Sequence, residues 1–242
     1  MKRFLIVMAA LGAVALSSCL NSSDDFIGSE YGLVSVVDGD AASGQYLIFD
    51  NGQRVSVASG IQFLENIPAS MYYPSKATGE ARAEVQYRVN KSTLVGFDAT
   101  VNVVGLNPIE VKRVATTMPS DIEDYDANVN SIVAVSYARQ KWFNIFPEIR
   151  CSGQGALQRH KFHLVYNPEK TGFFASAYKE DGYLYLELHH DDDGDTATLG
   201  GGKWVSFYLT DELLSENINA YLGIKILYRK DGAPEVQEYK FR

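Results

Sequence analysis

From Ala81 to Asn90 the chain alternates without a break, and this stretch limits the fold more than any other. Ala81, Ala83, Val85, Tyr87 and Val89 share one face, and Arg82, Glu84, Gln86, Arg88 and Asn90 share the other. A half-buried antiparallel strand needs this period of two. The surrounding segments agree. Tyr31 to Val37 is rich in β-branched residues and ends at Asp38-Gly39. Gln45–Asp50 and Gln53–Ala58 flank Asn51-Gly52, the pair that best tolerates the positive φ angles of a two-residue hairpin turn. Asp98–Leu106 and Ile109–Val114 read as two further strands separated by Pro108. Ile61 to Gly79, with Pro68 and Pro74, reads as a long loop with room for one helical turn.

Thr116 to Asn130 carries Pro119, Asp121, Glu123, Asp124 and Asp126 and reads as a polar, acidic boundary between two apolar-rich regions. Beyond it a second strand series runs through Ser131–Ala138, Lys141–Phe146, His160–Tyr166, Tyr183–His190, Lys203–Leu209, Tyr221–Arg229 and Val236–Phe241, with a short helix at Asp211–Asn217. Short strands between Gly- and Asp-rich turns point to a β-sandwich. The expected class is all-β. Residues 1–18 are a leader, 19–30 a flexible tether, 31–115 a first β domain, 116–130 a linker and 131–242 an antiparallel sandwich.

The leader says where such a chain goes. Lys2 and Arg3 are followed by an apolar run from Phe4 to Leu16, too short for a permanent membrane helix and suited to a signal peptide. It closes on Leu16-Ser17-Ser18-Cys19, the lipobox of a bacterial lipoprotein, in which Cys19 takes the lipid. Cleavage before Cys19 takes 18 residues from 242 and leaves 224, ample for a buried core. It also removes Lys2 and Arg3, so the net charge of −8 becomes −10. An acidic body without a Lys/Arg stripe does not suit nucleic acid. Cys151, the other of two cysteines, has no intramolecular partner and reads as a small half-buried residue near a turn. Charged strand faces such as Arg82, Glu84 and Arg88 do not suit a transmembrane barrel. The lipid is therefore the expected membrane attachment. Ser23-Asp24-Asp25-Phe26, an acidic cluster in the tether, resembles the export signal of surface lipoproteins in Bacteroides-group bacteria. Outer-membrane anchoring at the cell surface is the expectation, with a periplasm-facing position as the alternative.

With leader and strands placed, the chain resembles the NigD-like lipoproteins. The resemblance rests on the lipobox and on Asn107-Pro108-Ile109-Glu110-Val111. In the second half it rests on Phe162-His163-Leu164-Val165-Tyr166-Asn167, Tyr185-Leu186-Glu187-Leu188-His189-His190, Gly194-Asp195 and Trp204-Val205-Ser206-Phe207. It implies an N-terminal OB-like barrel followed by a C-terminal antiparallel β-sandwich. The family namesake is associated with a bacteriocin locus, where an immunity role is presumed. No catalytic residues carry over, and a shared fold does not fix an activity.

Among possible reactive groups, His189-His190-Asp191-Asp192-Asp193-Gly194-Asp195 spaces its aspartates like the start of a calcium loop. Position twelve from Asp191 is Gly202 where an EF-hand needs glutamate, and neighbouring His189 and His190 face opposite ways on a strand. A solvated turn after a strand with Leu184, Leu186 and Leu188 in the core is the simpler reading. His160 and His163 also fall on opposite faces, although pairs from different strands could converge. Gly200-Gly201-Gly202-Lys203 lacks the rest of a phosphate loop and reads as a turn. No metal, cofactor or catalytic signature is assigned. The remaining lead is aromatic: Tyr72-Tyr73, Trp142-Phe143 and Phe173-Phe174. Flat rings in loops serve as platforms for sugars or protein partners, and Tyr72 and Tyr73 in the long loop are the candidate binding surface. The expected function is a non-enzymatic binding or protective module of the envelope, with bacteriocin immunity as its narrower form. The alternative is a glycan-binding accessory protein of a polysaccharide-uptake system.

Overall fold

The alternating segment forms one wall of a closed ring of strands. The computed structural model describes residues 29–39, 44–77, 79–90, 93–116, 125–139, 141–196, 199–209, 213 and 220–241. The first domain holds β1 (Glu30–Asp38), β2 (Gln45–Phe49), β3 (Arg54–Ser59), the two-residue β4 (Tyr72–Tyr73), β5 (Glu80–Val89) and β6 (Ala99–Arg113). β1 pairs with β2 and β5, β2 with β3, β3 in parallel with β6, and β6 with β5, which closes the ring. Following the registers from Ala81 through Val36, Leu47 and Val55 to Ala99 returns to β5 about ten residues further along, the stagger of a steeply tilted small barrel. The expected OB-like barrel is present.

Its core takes the apolar face of β5 together with Val34, Val36, Leu47, Val55, Val101 and Val103. The segment between β3 and β5 is less loop-like than its prolines suggest. It contains α1 (Ile61–Glu65), a 3-10 turn at Ala69–Met71 and β4, and it plugs the barrel with Leu64, Ile67 and Tyr72. Pro108 does not split the neighbouring strand: β6 continues through it, opposite Ala83. The registers with β3 and β12 stop at Asn102 and start at Glu110, so Pro108 lies where one side of β6 is unpaired and a missing N–H costs nothing.

The second domain is the expected sandwich. It is built from β7 (Ser131–Ala138), β8 (Trp142–Cys151), α2 (Gln154–Leu157), β9 (Lys161–Val165), β10 (Leu184–Asp191), β11 (Leu199–Gly202), β12 (Val205–Tyr208), β13 (Gly223–Lys230) and β14 (Ala233–Lys240). One sheet places β7 on one side of β8 and β11 then β12 on the other, and β12 pairs in parallel with the end of β6. The other runs β14-β13-β10-β9, with β13 and β10 parallel. Phe143, Ile145, Val205 and Phe207 meet Phe162, Leu164, Leu184, Leu186, Leu188, Ile224 and Ile226 between them. Val114 and Val129, at the two ends of the expected linker, also lie in this core. Gly200–Gly202, read from sequence as a turn, belongs to β11. The glycines there permit close approach, because a Cβ on Gly202 would lie 2.4 Å from the Phe146 ring and 2.8 Å from the Pro147 carbonyl.

The polar face of β5 does not all meet water. Arg82 is fully buried where the barrel packs on the β7-β8-β12 sheet. It donates to Asp50 (2.6 Å), Ser35 Oγ (3.0 Å) and Asn144 Oδ1 (3.3 Å), and Asn144 in turn bonds Ser136, Ser206 and Asp50. Two residues earlier on the same face, Glu80 accepts from Arg139, Lys141 and Trp142. A small apolar patch of Leu33, Ile109 and Trp204 completes the joint. Both Trp142 and Phe143 are consequently buried, Phe143 in the sandwich core and Trp142 under the barrel.

Candidate functional site

The four histidines sort as their spacing requires, and strand register pairs them. On β10, Leu184, Leu186 and Leu188 point into the core, so Glu187 and His189 stand on the outer face. His163 on β9 lies opposite His189. His190 turns inward and stacks between Phe162 (4.7 Å) and His160 (5.1 Å).

The inner pair belongs to a buried hydrogen-bond chain. His190 Nδ1 donates to the carbonyl of Asn128 (3.0 Å), which leaves Nε2 to accept from His160 Nδ1 (2.9 Å). His160 Nε2 faces Asp195 Oδ2 at 3.3 Å, and Asp195 accepts both the N–H and the hydroxyl of Ser152. The chain thus runs from the Asn128 carbonyl through His190 and His160 to the Asp195 carboxylate. Burial, and then the charge on His160, push the pKa of His190 down to about 4. A tetrahedral zinc would hold two imidazole nitrogens roughly 3.3 Å apart with the ion between them, whereas here they bond directly. Among the described residues no three His, Cys, Asp or Glu side chains gather as a metal site. Nor is this a nucleophilic triad: the carboxylate stands between serine and histidine, so no imidazole reaches Ser152 Oγ. The aspartates of the following turn hold backbone, Asp191 accepting from the N–H of Asp193 and Asp192 from that of Gly194.

Of the outer pair, His189 lines a groove of about 250 Å³ with Tyr125, Asp126, Phe173, Phe174 and Arg229. Below it, buried Glu187 accepts from Tyr178 (2.5 Å), Asn167 (3.0 Å) and His189 (3.1 Å). Burial alone would raise the pKa of Glu187, but hydrogen bonds from His189, Tyr178 and Asn167 outweigh it and hold the group below its ordinary value. Glu187 thereby fixes His189, against which Phe174 packs edge-on at 5.7 Å. Phe173 is exposed with the Arg229 guanidinium 3.8 Å over its ring, and Tyr125 packs against His163. The groove presents a cation and aromatic rings over a hydrogen-bonded floor.

The expected Tyr72-Tyr73 surface is not formed. Tyr72 is 4% exposed in the barrel plug, and Tyr73 packs against Tyr208 of the sandwich at 4.6 Å. Both are drawn in because β4 pairs with the start of β5 at the joint. Cys19 and Ser23, Asp24, Asp25 and Phe26 lie outside the described residues. Cys151 is buried in the sandwich core. Phe173 carried a sequence signal in its aromatic pair. Arg229 and Tyr125 carried none, because they join the groove only through the β10–β13 pairing and the segment after the acidic stretch.

These features define a two-domain all-β protein, an OB-like barrel fused through a shared strand to a sandwich with an aromatic groove. Residues 114–242 match the NigD-like C-terminal beta sandwich domain, and the chain belongs to that family. Among curated proteins none matches. Among solved structures the fold is similar to a protein of unknown function from Bacteroides vulgatus (19% identity, 89% of this chain and 92% of that one, TM-score 0.64). It is also similar to a NigD-like immunity protein from Bacteroides caccae (20% identity, 90% and 100%, TM-score 0.60). A candidate lipoprotein from Bacteroides fragilis shares it as well (12% identity, 89% and 99%, TM-score 0.57). Among the described residues no helix is long and apolar enough to cross a membrane.

Proposed function

We propose that this is a lipid-anchored envelope protein that acts by binding without turnover, and that its narrower role is protection of the cell against a bacteriocin. The carrying observation is the contrast between the two histidine pairs. The residues best equipped for chemistry, His160, His190, Asp195 and Ser152, spend their hydrogen bonds on one another, whereas Phe173, Arg229 and His189 are offered at a groove. Arg and aromatic side chains over a fixed floor are the usual energetic anchors of protein partners. The likeness to a NigD-like immunity protein supports the same reading.

Deleting the gene should raise sensitivity to toxins of neighbouring strains. Complementation by the wild-type chain should restore resistance, and a folded Phe173→Ala, Arg229→Glu variant should not. Unchanged sensitivity on deletion would refute immunity, and turnover that depends on one polar side chain would refute a binding role. Anchoring is proposed through Cys19 in the outer membrane, with Ser23–Phe26 directing the body to the cell surface. External protease should remove the protein from intact cells, and Asp24→Ala with Asp25→Ala should protect it. A wild-type protein cleaved only after lysis faces the periplasm.

A further inference from the structure

The registers fix which end of the barrel meets the anchor. β1 is antiparallel to β5, with Glu30 opposite Tyr87, so Ser29 lies on the side of Arg88. Two side-chain bonds hold it there: Gln86 Nε2 donates to Ser29 Oγ (2.7 Å), and Tyr87 Oη donates to Glu30 (2.9 Å). Ser29 therefore stands at the end of the barrel where β5 passes into β6.

That connection carries an apolar tip. Leu94, Val95, Gly96 and Phe97 form a tight turn closed by the Phe97 N–H to the Leu94 carbonyl, with Gly96 at φ 88°. Leu94 is 58% exposed, and Val95 is fully exposed at 102%. Tyr31, near the start of β1, is 62% exposed. Single exposed apolar residues are ordinary, but two stand together at the point of this turn, and no described residue covers them. The flanking cations Arg54 and Arg88 are exposed, within a chain of net charge −8. The acids beside them are engaged: Glu30 accepts from Tyr87, and Asp98 accepts the N–H of Arg54. Apolar residues at a tip with arginines behind it suit the boundary between acyl chains and lipid phosphates.

We infer that the Leu94–Val95 turn is a membrane-inserting tip, and that the barrel docks by this end on the bilayer that holds its acyl chains. The inference rests on the lipid anchor at Cys19. Ser29 is ten residues after Cys19, a reach of at most about 35 Å, so the tether keeps this end of the barrel near the lipid. β6 starts beside the tip and ends in the sandwich, fifteen residues and up to about 50 Å away. Docking by the tip therefore turns the groove at Phe173 and Arg229 away from the membrane, where a partner can reach it.

The test couples a maleimide lipid to Cys19 of the mature chain on phosphatidylethanolamine–phosphatidylglycerol vesicles with brominated acyl chains. Cys151, 3% exposed, is sheltered from the reagent. Trp142 and Trp204 are buried, so a Val95→Trp substitution adds the one tryptophan able to meet lipid. Its emission should shift to the blue and be quenched by the bromines. A Leu222→Trp reporter, at a 60% exposed position on the sandwich, should be neither shifted nor quenched. An unquenched Val95→Trp on anchored protein, or stronger quenching at Leu222→Trp, would overturn the inference. Because the anchor is supplied chemically, the vesicle result concerns the tip alone. Palmitate labelling of cells, lost with Cys19→Ser, reads the anchor separately.

Discussion

Replacing Glu80 with glutamine removes one charge from the joint between barrel and sandwich, and its cost can be worked from the structure. Glu80 lies at the start of β5, and its carboxylate accepts from Arg139 (2.6 and 2.8 Å), Lys141 (2.6 Å) and the Trp142 indole (3.3 Å). Burial alone would push its pKa up, but the hydrogen bonds from Arg139 and Lys141 outweigh it and bring the group from 4.5 down to about 2. A carboxylate with a pKa lower in the folded state than in the unfolded state contributes stability above the unfolded value. That contribution is lost as pH falls through the folded value. At about 1.36 kcal/mol for each pH unit, the gap corresponds to on the order of 3 kcal/mol at neutral pH. The Glu80 side chain is 11% exposed and its partners 19% and 28%, so solvent screening removes only part of this. Urea unfolding of the mature chain, followed through Trp142 beside the substituted group, should show the variant weaker by that order near neutral pH. The two proteins should converge between pH 4.5 and 2. A gap that stays constant down to pH 2, or no gap at neutral pH, would refute the assignment.

The His190 ring, with a pKa of about 4 against 6.5 unfolded, should stay neutral well below pH 6 and lower stability as pH falls from 6.5 to 4. Histidine NMR titration checks this, and a midpoint near 6.5 would count against the chain of bonds through His160. Arg82→Met should destabilise by about 3–5 kcal/mol, because it leaves Asp50 without its cation. Asp50→Asn in the same protein should recover a measurable part of that loss in a double-mutant cycle by urea unfolding. Gly202→Ala should cost about 1–3 kcal/mol by thermal unfolding, since its methyl would meet Phe146 and the Pro147 carbonyl. Gly200→Ala, with nothing nearer than 3.7 Å, should be close to neutral.

Local pattern carried much of this fold. The alternation at Ala81–Asn90 is legible because one face of β5 lines the barrel, and Asn51-Gly52 marks its hairpin turn. Periodicity names two faces without saying what covers them, and so Arg82 reads as part of a polar outer face although the sandwich lies over it. The same limit hid Tyr72 and Tyr73, which look like loop residues until β4 pairs with β5. β11 left no trace because glycines have no side chains with which to alternate. The histidines show the boundary most clearly. Their spacing assigns His160 and His163, and His189 and His190, to opposite faces, but only the register between β9 and β10 decides which pair meets. The groove is further from the sequence still, because Arg229 reaches it through a parallel pairing between distant strands.

The strand shared by the two domains bears on how such a protein can be divided. The family match begins at residue 114, whereas β12 is flanked on one side by Glu110–Arg113, the last four residues of β6. A sandwich cut out at that point would have its core residues but would present a bare row of amide and carbonyl groups along β12. Such an edge templates the addition of another chain. Proteolysis or recombination between the halves would thus release a module that takes a strand from a neighbouring copy, and this favours inheritance of barrel and sandwich as one unit.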